Sequence, residues 1–366
     1  MKYRVAVIGH TGKGNYGHDI DKAWLDFDKA ELVAVADPDA AGRERAAKRL
    51  GVANAYADYR EMLRKEKPNV VSVAPRWPDS HKELVLACVD AGASIFLEKP
   101  MATTLAECDA MIAACEKSHV KVAIAHQTRY SPRVERIQEL IADGRLGDIT
   151  ELRGRGKEDH RGGGEDLMVL GTHIMDLMRL FAGDAAWCFG RCWAGDRVAK
   201  IPDDVGKARE PIGPILGDRI TATYGFDKPI TGFFGTHKAK HGAGRRFGLF
   251  IHGTKGVVLV RTGTLPEAYF LEDPAWLPKA GASEWVPITS AGLGKPEPLT
   301  DGSLLAGNRL IVRDLIAAIE EDRQPKGSMY DGRAALEMIL AVYESHRQGR
   351  PVDMPLGRRE HPLGDG

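Results

Sequence analysis

The sequence predicts an α/β chain of two domains: a parallel sheet covered by helices, then an α/β domain on a mostly antiparallel, open sheet. Three observations predict it. From the start to about residue 125, short apolar runs alternate with amphipathic helical stretches, the pattern of a parallel sheet wrapped by helices. A glycine-rich stretch, Gly9 to Gly17, directly follows the first apolar run. Beyond residue 125 the pattern changes to one or two helices followed by β-type segments joined by turn residues. The 366 residues suit two domains at about 150 residues each, with boundaries at 1–125 and 126–366.

In order, Val5–Ile8 is the first strand, and Ile20, Ala23, Trp24 and Phe27 at i, i+3, i+4, i+7 predict a helix after it. Leu32–Ala36 is the second strand, followed by a charged helix around residues 39 to 50 and the strand 70–74. A helix from His81 ends at Gly92, placed as a C-terminal cap. The strand Ser94–Leu97 comes next. Thr104 and Glu107 have capping-box spacing and open a helix whose apolar face is Cys108, Met111, Ile112 and Cys115. The strand 120–124 completes the set.

In the second part, Ile220–Phe226 and Ile230–Phe234 flank Asp227-Lys-Pro229, and Phe247–His252 and Val257–Val260 flank Gly253-Thr-Lys-Gly256. Both predict hairpins. Residues 196–217, rich in Gly, Pro and charge, read as a long loop. Two amphipathic helices follow, on Val312, Leu315, Ile316, Ile319 and on Leu336, Ile339, Leu340, Tyr343.

Composition excludes several classes of function. Lys+Arg and Asp+Glu both total 51, so no general electrostatic pull favours nucleic acid or an anionic membrane. No apolar run approaches the roughly 18 residues needed to span a bilayer, and the amino-terminal apolar stretch is too short for a signal peptide. We expect a cytoplasmic protein. The five cysteines, Cys88, Cys108, Cys115, Cys188 and Cys192, are too few and scattered for a disulfide framework and read as buried thiols. Strand alternation puts Cys188 and Cys192 on one face.

Gly12-x-Gly14-x-x-Gly17 satisfies the dinucleotide fingerprint, although Gly9 stands where its first glycine normally falls. Glycines admit a pyrophosphate to the backbone, and the amino terminus of the following helix would offer N–H groups and a positive dipole. Asp37 ends the second strand 20 residues after Gly17. It would accept from the adenosine ribose hydroxyls and repel a 2'-phosphate, favouring NAD over NADP. A phosphate-loop reading fails, because Asn15 stands where that motif needs Lys.

At Glu98-Lys99-Pro100 the chain begins to resemble the glucose-fructose oxidoreductase and inositol dehydrogenase family. The segment Val73-Ala-Pro75 with His81, the stretch Ala125 to Pro132, Gly162-Gly-Gly164 leading to Gly171-Thr-His173 and Asp176, and Gly253 to Gly256 resemble it in the same order. The resemblance runs from residue 4 to about 350. It implies a Rossmann domain, a carboxy-terminal α/β domain whose open sheet often makes dimers or tetramers, and hydride transfer between a nicotinamide cofactor and a sugar or polyol carbon. It places Lys99 beside nicotinamide and substrate, makes His173 the group acting on the reacting hydroxyl and Asp176 its acidic neighbour. The expected cofactor-binding set is Gly9, Thr11, Gly12, Gly14, Asp37, Pro75, His81, Glu98 and Lys99.

The chemistry agrees: a base must remove the hydroxyl proton as hydride leaves carbon, and an imidazole with an ordinary pKa near 6.5 suits that at neutral pH. Lys99, at the carboxyl end of a strand, would polarise the substrate oxygen. One departure stands out. Many members of the family that the chain resembles have an Asp four residues before this histidine, and here that residue is Val169. Glu165 and Asp166 lie just upstream as substitutes. The departure is compatible with an altered substrate, an altered relay or loss of turnover, so three readings stand: an NAD-dependent sugar or cyclitol dehydrogenase, an NADP-dependent carbonyl reductase, or a cofactor-binding sensor without turnover. Arg129, Tyr130, His160, Arg161, His237 and His241 are substrate-pocket candidates. The i, i+4 pair His237 and His241 falls in a hairpin end and loop, so no metal site is expected.

Overall fold

The computed structural model describes residues 2–238, 246–275 and 283–364. Contacts divide the chain into two units: Met1–Gln127 with Arg209–Ile212 and Leu304–Arg333, and Thr128–Ala208 with Gly213–Ser303 and Ala334–Gly366.

The first unit is built on β1 (Tyr3–Ile8), β2 (Ala30–Ala36), α1 (Ala40–Leu50), β3 (Asn54–Tyr56), α2 (Tyr59–Glu66), β4 (Val70–Val73), α3 (His81–Asp90), β5 (Ser94–Leu97), α4 (Leu105–Ser118) and β6 (Val122–Ile124). Its six strands are all parallel, in the order β3-β2-β1-β4-β5-β6. This is the doubly wound dinucleotide-binding order, whose ligand crevice lies outside the strands' carboxyl ends at the switch between β1 and β4. The central strands are sealed on both faces: Val5, Ala6 and Val7 and all of Ile95, Phe96 and Leu97 are fully buried, as a helix-covered sheet requires. The Thr104–Glu107 capping box forms at α4.

Two local readings change. The helix expected over Ile20 to Phe27 is a set of turns with a single 3-10 turn at Lys22–Trp24. Asn15, Gly17, Asp19 and Asp26 all have positive φ, which no continuous right-handed helix admits. Ile20, Ala23 and Trp24 are buried nonetheless, with the Trp24 indole donating to Ser72 Oγ at 2.7 Å. The apolar spacing thus marks a buried face without marking a helix, and the helix dipole expected at the pyrophosphate turn is absent. Residues 54–66, unassigned by periodicity, supply β3 and α2.

The second unit contains α5 (Pro132–Ala142), β7 (Ile149–Arg155), α6 (Gly164–Val169), α7 (Gly171–Ala182), β8 (Ala185–Ala194), β9 (Arg197–Val198), β10 (Val205–Lys207), β11 (Pro214–Leu216), β12 (Arg219–Phe226), β13 (Thr231–His237), β14 (Gly248–Gly253), β15 (Val257–Arg261), β16 (Ala268–Leu271), β17 (Val286–Thr289) and β18 (Gly292–Leu293). The last helices are α8 (Leu304–Glu320), in the first unit, and α9 (Met329–Gln348), before β19 (Val352–Asp353). The large sheet runs β18-β17-β16-β15-β14-β7-β13-β12-β8-β19, with β9 beside β8. Its pairs are antiparallel except β13 with β7. Both hairpins form as the turn residues predict.

The stretch 196–217 is not wholly a loop, since β9 and the two-stranded ribbon β10–β11 lie in it. The first unit also holds 209–212 and 304–333, residues that follow the expected boundary. Local bonds explain part of this: Gln127 Nε2 donates to Asn308 Oδ1 at 2.8 Å, and Ile124 N–H to the Gly327 carbonyl at 2.8 Å. Cys188 and Cys192 share the buried face of β8, and all five cysteines are free and buried. Among the described residues no helix is long and apolar enough to cross a membrane.

Candidate active site

A cleft of about 450 Å³ opens at the carboxyl edge of the parallel sheet, lined by Gly9 and His10 after β1, Asp37 after β2, Asp58 and Tyr59 after β3, and Pro75 and Trp77 after β4. This is the crevice the strand order predicts. Lys13 also lines it and is a cation that could meet a pyrophosphate there, a residue the fingerprint does not single out. The turn from His10 to Asn15 closes on itself: the two residues exchange backbone bonds at 3.1 and 2.9 Å, and Gly12 N–H donates to Asn15 Oδ1.

Asp37 borders this cleft and yet is fully buried. Its carboxylate accepts from Thr11 Oγ1 at 2.6 Å, from the Tyr16 phenol at 2.8 Å, and from the Thr11 and Asp39 backbone N–H groups. Because the Thr11 hydroxyl proton is directed at Asp37, its oxygen is left as an acceptor. The acidic reading at this position therefore reaches the cleft partly through Thr11. Burial and the Asp37 bond push the Tyr16 phenol far up, so it stays a donor.

On the same edge, Glu98 and Lys99 follow β5, with Lys99 only 4% exposed and joined to Pro100 by a cis peptide. Glu98 is fully buried and accepts from the His18 ring through Nδ1, from the His18 backbone N–H at 3.1 Å and from the Lys99 backbone N–H at 2.6 Å. Gly17 must be glycine here: its φ is +61° and a Cβ would stand 2.7 Å from Glu98 Cγ. Burial alone would raise the Glu98 pKa, but His18 and Lys99 outweigh it and bring it down to about 2. A carboxylate whose pKa is depressed in the fold contributes stability that is fully present above its unfolded value and lost as pH falls through the folded one. Denaturant titrations should thus show stability falling between pH 4.5 and about 2, and Glu98→Gln should flatten that fall.

His81 stands elsewhere than a ligand-contacting residue would. It is fully buried, with Nε2 2.7 Å from the Pro75 carbonyl and Nδ1 3.2 Å from that of Met101, and burial lowers its pKa. It braces the two loops behind the cleft wall.

In the second unit, His173 is the third residue of α7 and half-buried, with its ring edge-on to Phe247 at 6.4 Å. Asp176, one turn on, is 1% exposed and engaged by Arg129: Nε donates at 2.9 and 3.0 Å and Nη2 at 2.8 Å. Val169 is buried at the end of α6. Of the two proposed substitutes, Asp166 is fully buried, holding the Lys157 and Glu158 backbone N–H groups at 3.1 Å and the Thr236 hydroxyl. It bolts α6 to the strand ends rather than presenting a carboxylate outward. Glu158, which the sequence did not suggest, is a fully buried carboxylate on which Arg155, Arg246 and His237 converge, His237 at 2.9 Å. Arg161 pairs with Asp159 at 2.6 Å, His160 is exposed, and Tyr130 is buried. His241 lies outside the described residues. Among those residues no group of three or more His, Cys, Asp or Glu could hold a metal.

Residues 3–126 match the NAD-binding Rossmann fold of the GFO/IDH/MocA oxidoreductase family, and residues 138–354 its C-terminal α/β domain. The chain belongs to this family. As a GFO/IDH/MocA protein it is an NAD-dependent oxidoreductase, and the cleft with its glycine turn and Lys13 fits that cofactor. Family relatives include D-apiose dehydrogenase of Paraburkholderia graminis, 26% identical over 99% of this chain and 92% of the relative. Levoglucosan dehydrogenase of Pseudarthrobacter phenanthrenivorans is 26% identical over 89% of each chain. A solved levoglucosan dehydrogenase, in complex with NADH and levoglucosan, shares the fold with a TM-score of 0.76 at 21% identity, covering 97% of this chain and all of the other.

Proposed function

We propose that the protein transfers a hydride between NAD(H) and a secondary alcohol or ketone of a sugar, sugar derivative or cyclitol. The observation that carries this reading is the similarity to a sugar dehydrogenase along 99% of the chain. In this reading the cofactor supplies the hydride acceptor. Gly9, Thr11, Gly12, Gly14, Pro75 and Lys13 hold it, with Asp37 acting beside Thr11 on the ribose. Lys99 polarises the substrate oxygen, His173 takes the hydroxyl proton, and Arg129 holds Asp176 one turn along the same helix. The test is a panel of D-apiose, levoglucosan, myo-inositol and related polyols with NAD and with NADP. We expect reduction of NAD by at least one and a preference for NAD; no turnover across the panel counts against the substrate class. Asp37→Ser should shift the ratio of kcat/KM values toward NADP, because it removes the charge that repels a 2'-phosphate.

We further propose that the second unit carries both substrate binding and homo-oligomerisation. Phe233, Arg153 and Phe250 stand directly opposite one another on β13, β7 and β14, and Phe233 and Phe250 are 37% and 36% exposed. Aromatic side chains exposed along one sheet face suit an interface. Phe233→Glu with Phe250→Glu should lower the mass measured by light scattering to that of one chain. Five free, buried cysteines suit a reducing compartment, and we place the protein in the cytoplasm.

A further inference from the structure

The carboxyl edge of the parallel sheet carries a continuous chain of hydrogen bonds that hydride transfer itself does not call for. Gln127 donates to Asn308 at 2.8 Å, and Asn308 Nδ2 donates to the His18 carbonyl at 2.7 Å. His18 then gives both its ring Nδ1–H and its backbone N–H to one oxygen of Glu98, whose other oxygen receives the Lys99 backbone N–H at 2.6 Å. Since a carboxylate only accepts, the imidazole proton must be on Nδ1. His18 immediately follows Gly17, the last glycine of the pyrophosphate turn, and Glu98 immediately precedes Lys99. The carboxylate therefore has one oxygen on the turn and one on the lysine, and being fully buried it cannot exchange either partner for water without cost.

We propose that His18 is a positioning residue: through Glu98 it ties the pyrophosphate turn to the backbone of Lys99, so that a ligand seated on the turn fixes where Lys99 stands. The proposal rests on the reading of Lys99 as the group beside the substrate, but its test does not use turnover. A merely structural Glu98 would hold the loops together equally with and without ligand. A positioning Glu98 makes Lys99 respond to a ligand that never reaches it.

The probe is ADP-ribose, which carries the pyrophosphate and no nicotinamide. The readout is the backbone amide resonance of Lys99 in protein labelled with 15N-lysine, assigned by its loss in Lys99→Arg. At saturating ADP-ribose the resonance should move in the native protein and in His18→Asn, whose amide nitrogen stands near the position of Nδ1. It should move clearly less in His18→Leu, which keeps only the backbone N–H bond to Glu98 and binds the probe with a Kd raised on the order of 10-fold. Should His18→Leu not fold, His18→Gln, whose donor lies beyond the Nδ1 position, is read the same way. A Lys99 resonance that ignores ADP-ribose in the native protein, or that moves as far without the Nδ1 donor as with it, overturns the proposal. Turnover insensitive to Lys99→Met would instead overturn the catalytic reading and leave this result standing.

Discussion

Lys99→Met and His173→Ala are each expected to lower kcat by roughly 10²- to 10⁴-fold, with little change in the NADH dissociation constant. The magnitude follows from the roles proposed. A positioned general base is worth about 10²–10⁴, and a preorganised group that meets developing charge on oxygen about 10²–10³. Methionine nearly conserves the volume of lysine, so at a position 4% exposed the exchange removes the charge without opening a cavity. In the roles proposed both groups meet charge at one oxygen, so their losses should not multiply: the double variant should resemble the worse single variant. Steady-state kinetics and fluorescence titration of NADH read the two quantities separately. Losses confined to KM would assign both residues to substrate binding alone.

Val169 is buried. With an apolar side chain where the family pattern has an Asp, and with Asp166 fully engaged by backbone N–H groups and Thr236, no carboxylate at those two positions shares the proton with His173. A buried carboxylate of this unit on which three basic side chains converge is Glu158, ringed by Arg155, Arg246 and His237.

How much of this was legible in the sequence depends on the kind of interaction. Strands such as Ser94–Leu97 and the capping box at Thr104 follow from local rules of apolar runs and backbone donors, and they formed where expected. The stretch after Gly17 did not, because helical spacing of Ile20, Ala23 and Trp24 reports burial while the positive φ at Asn15 and Asp19 decides the backbone. Lys99, His173 and Asp37 were visible through motif position. The partners that define their surroundings were not: Asn308 lies 290 residues from His18 in the chain, and Arg129 lies 47 from Asp176. Pairing over such distances has no periodicity to betray it. Arg129 stood out as a pocket candidate or a structural brace, and its fork on a carboxylate appears only once the chain is folded.

That fork carries the second large expectation. Arg129→Met should destabilise the second unit by about 3–5 kcal/mol, the usual cost of leaving one member of a buried ion pair unpaired. The side chains are 7% and 2% exposed, so little water can replace the lost guanidinium, and the remaining Asp176 carboxylate keeps its desolvation penalty. Asp176→Asn should cost less than Arg129→Met, because the amide oxygen still accepts from the guanidinium and the buried cation retains a dipole. Replacing both residues with apolar groups of similar volume should recover part of the loss, since a buried ion pair is often close to neutral against a hydrophobic pair. Denaturant midpoints of the three variants test the order. If the double variant is instead the least stable, the pair is holding its surroundings by more than its own charges, through the Arg129 bond to the Asp176 backbone carbonyl at 3.1 Å. In that event turnover should fall along with stability, since His173 lies three residues before Asp176 on α7.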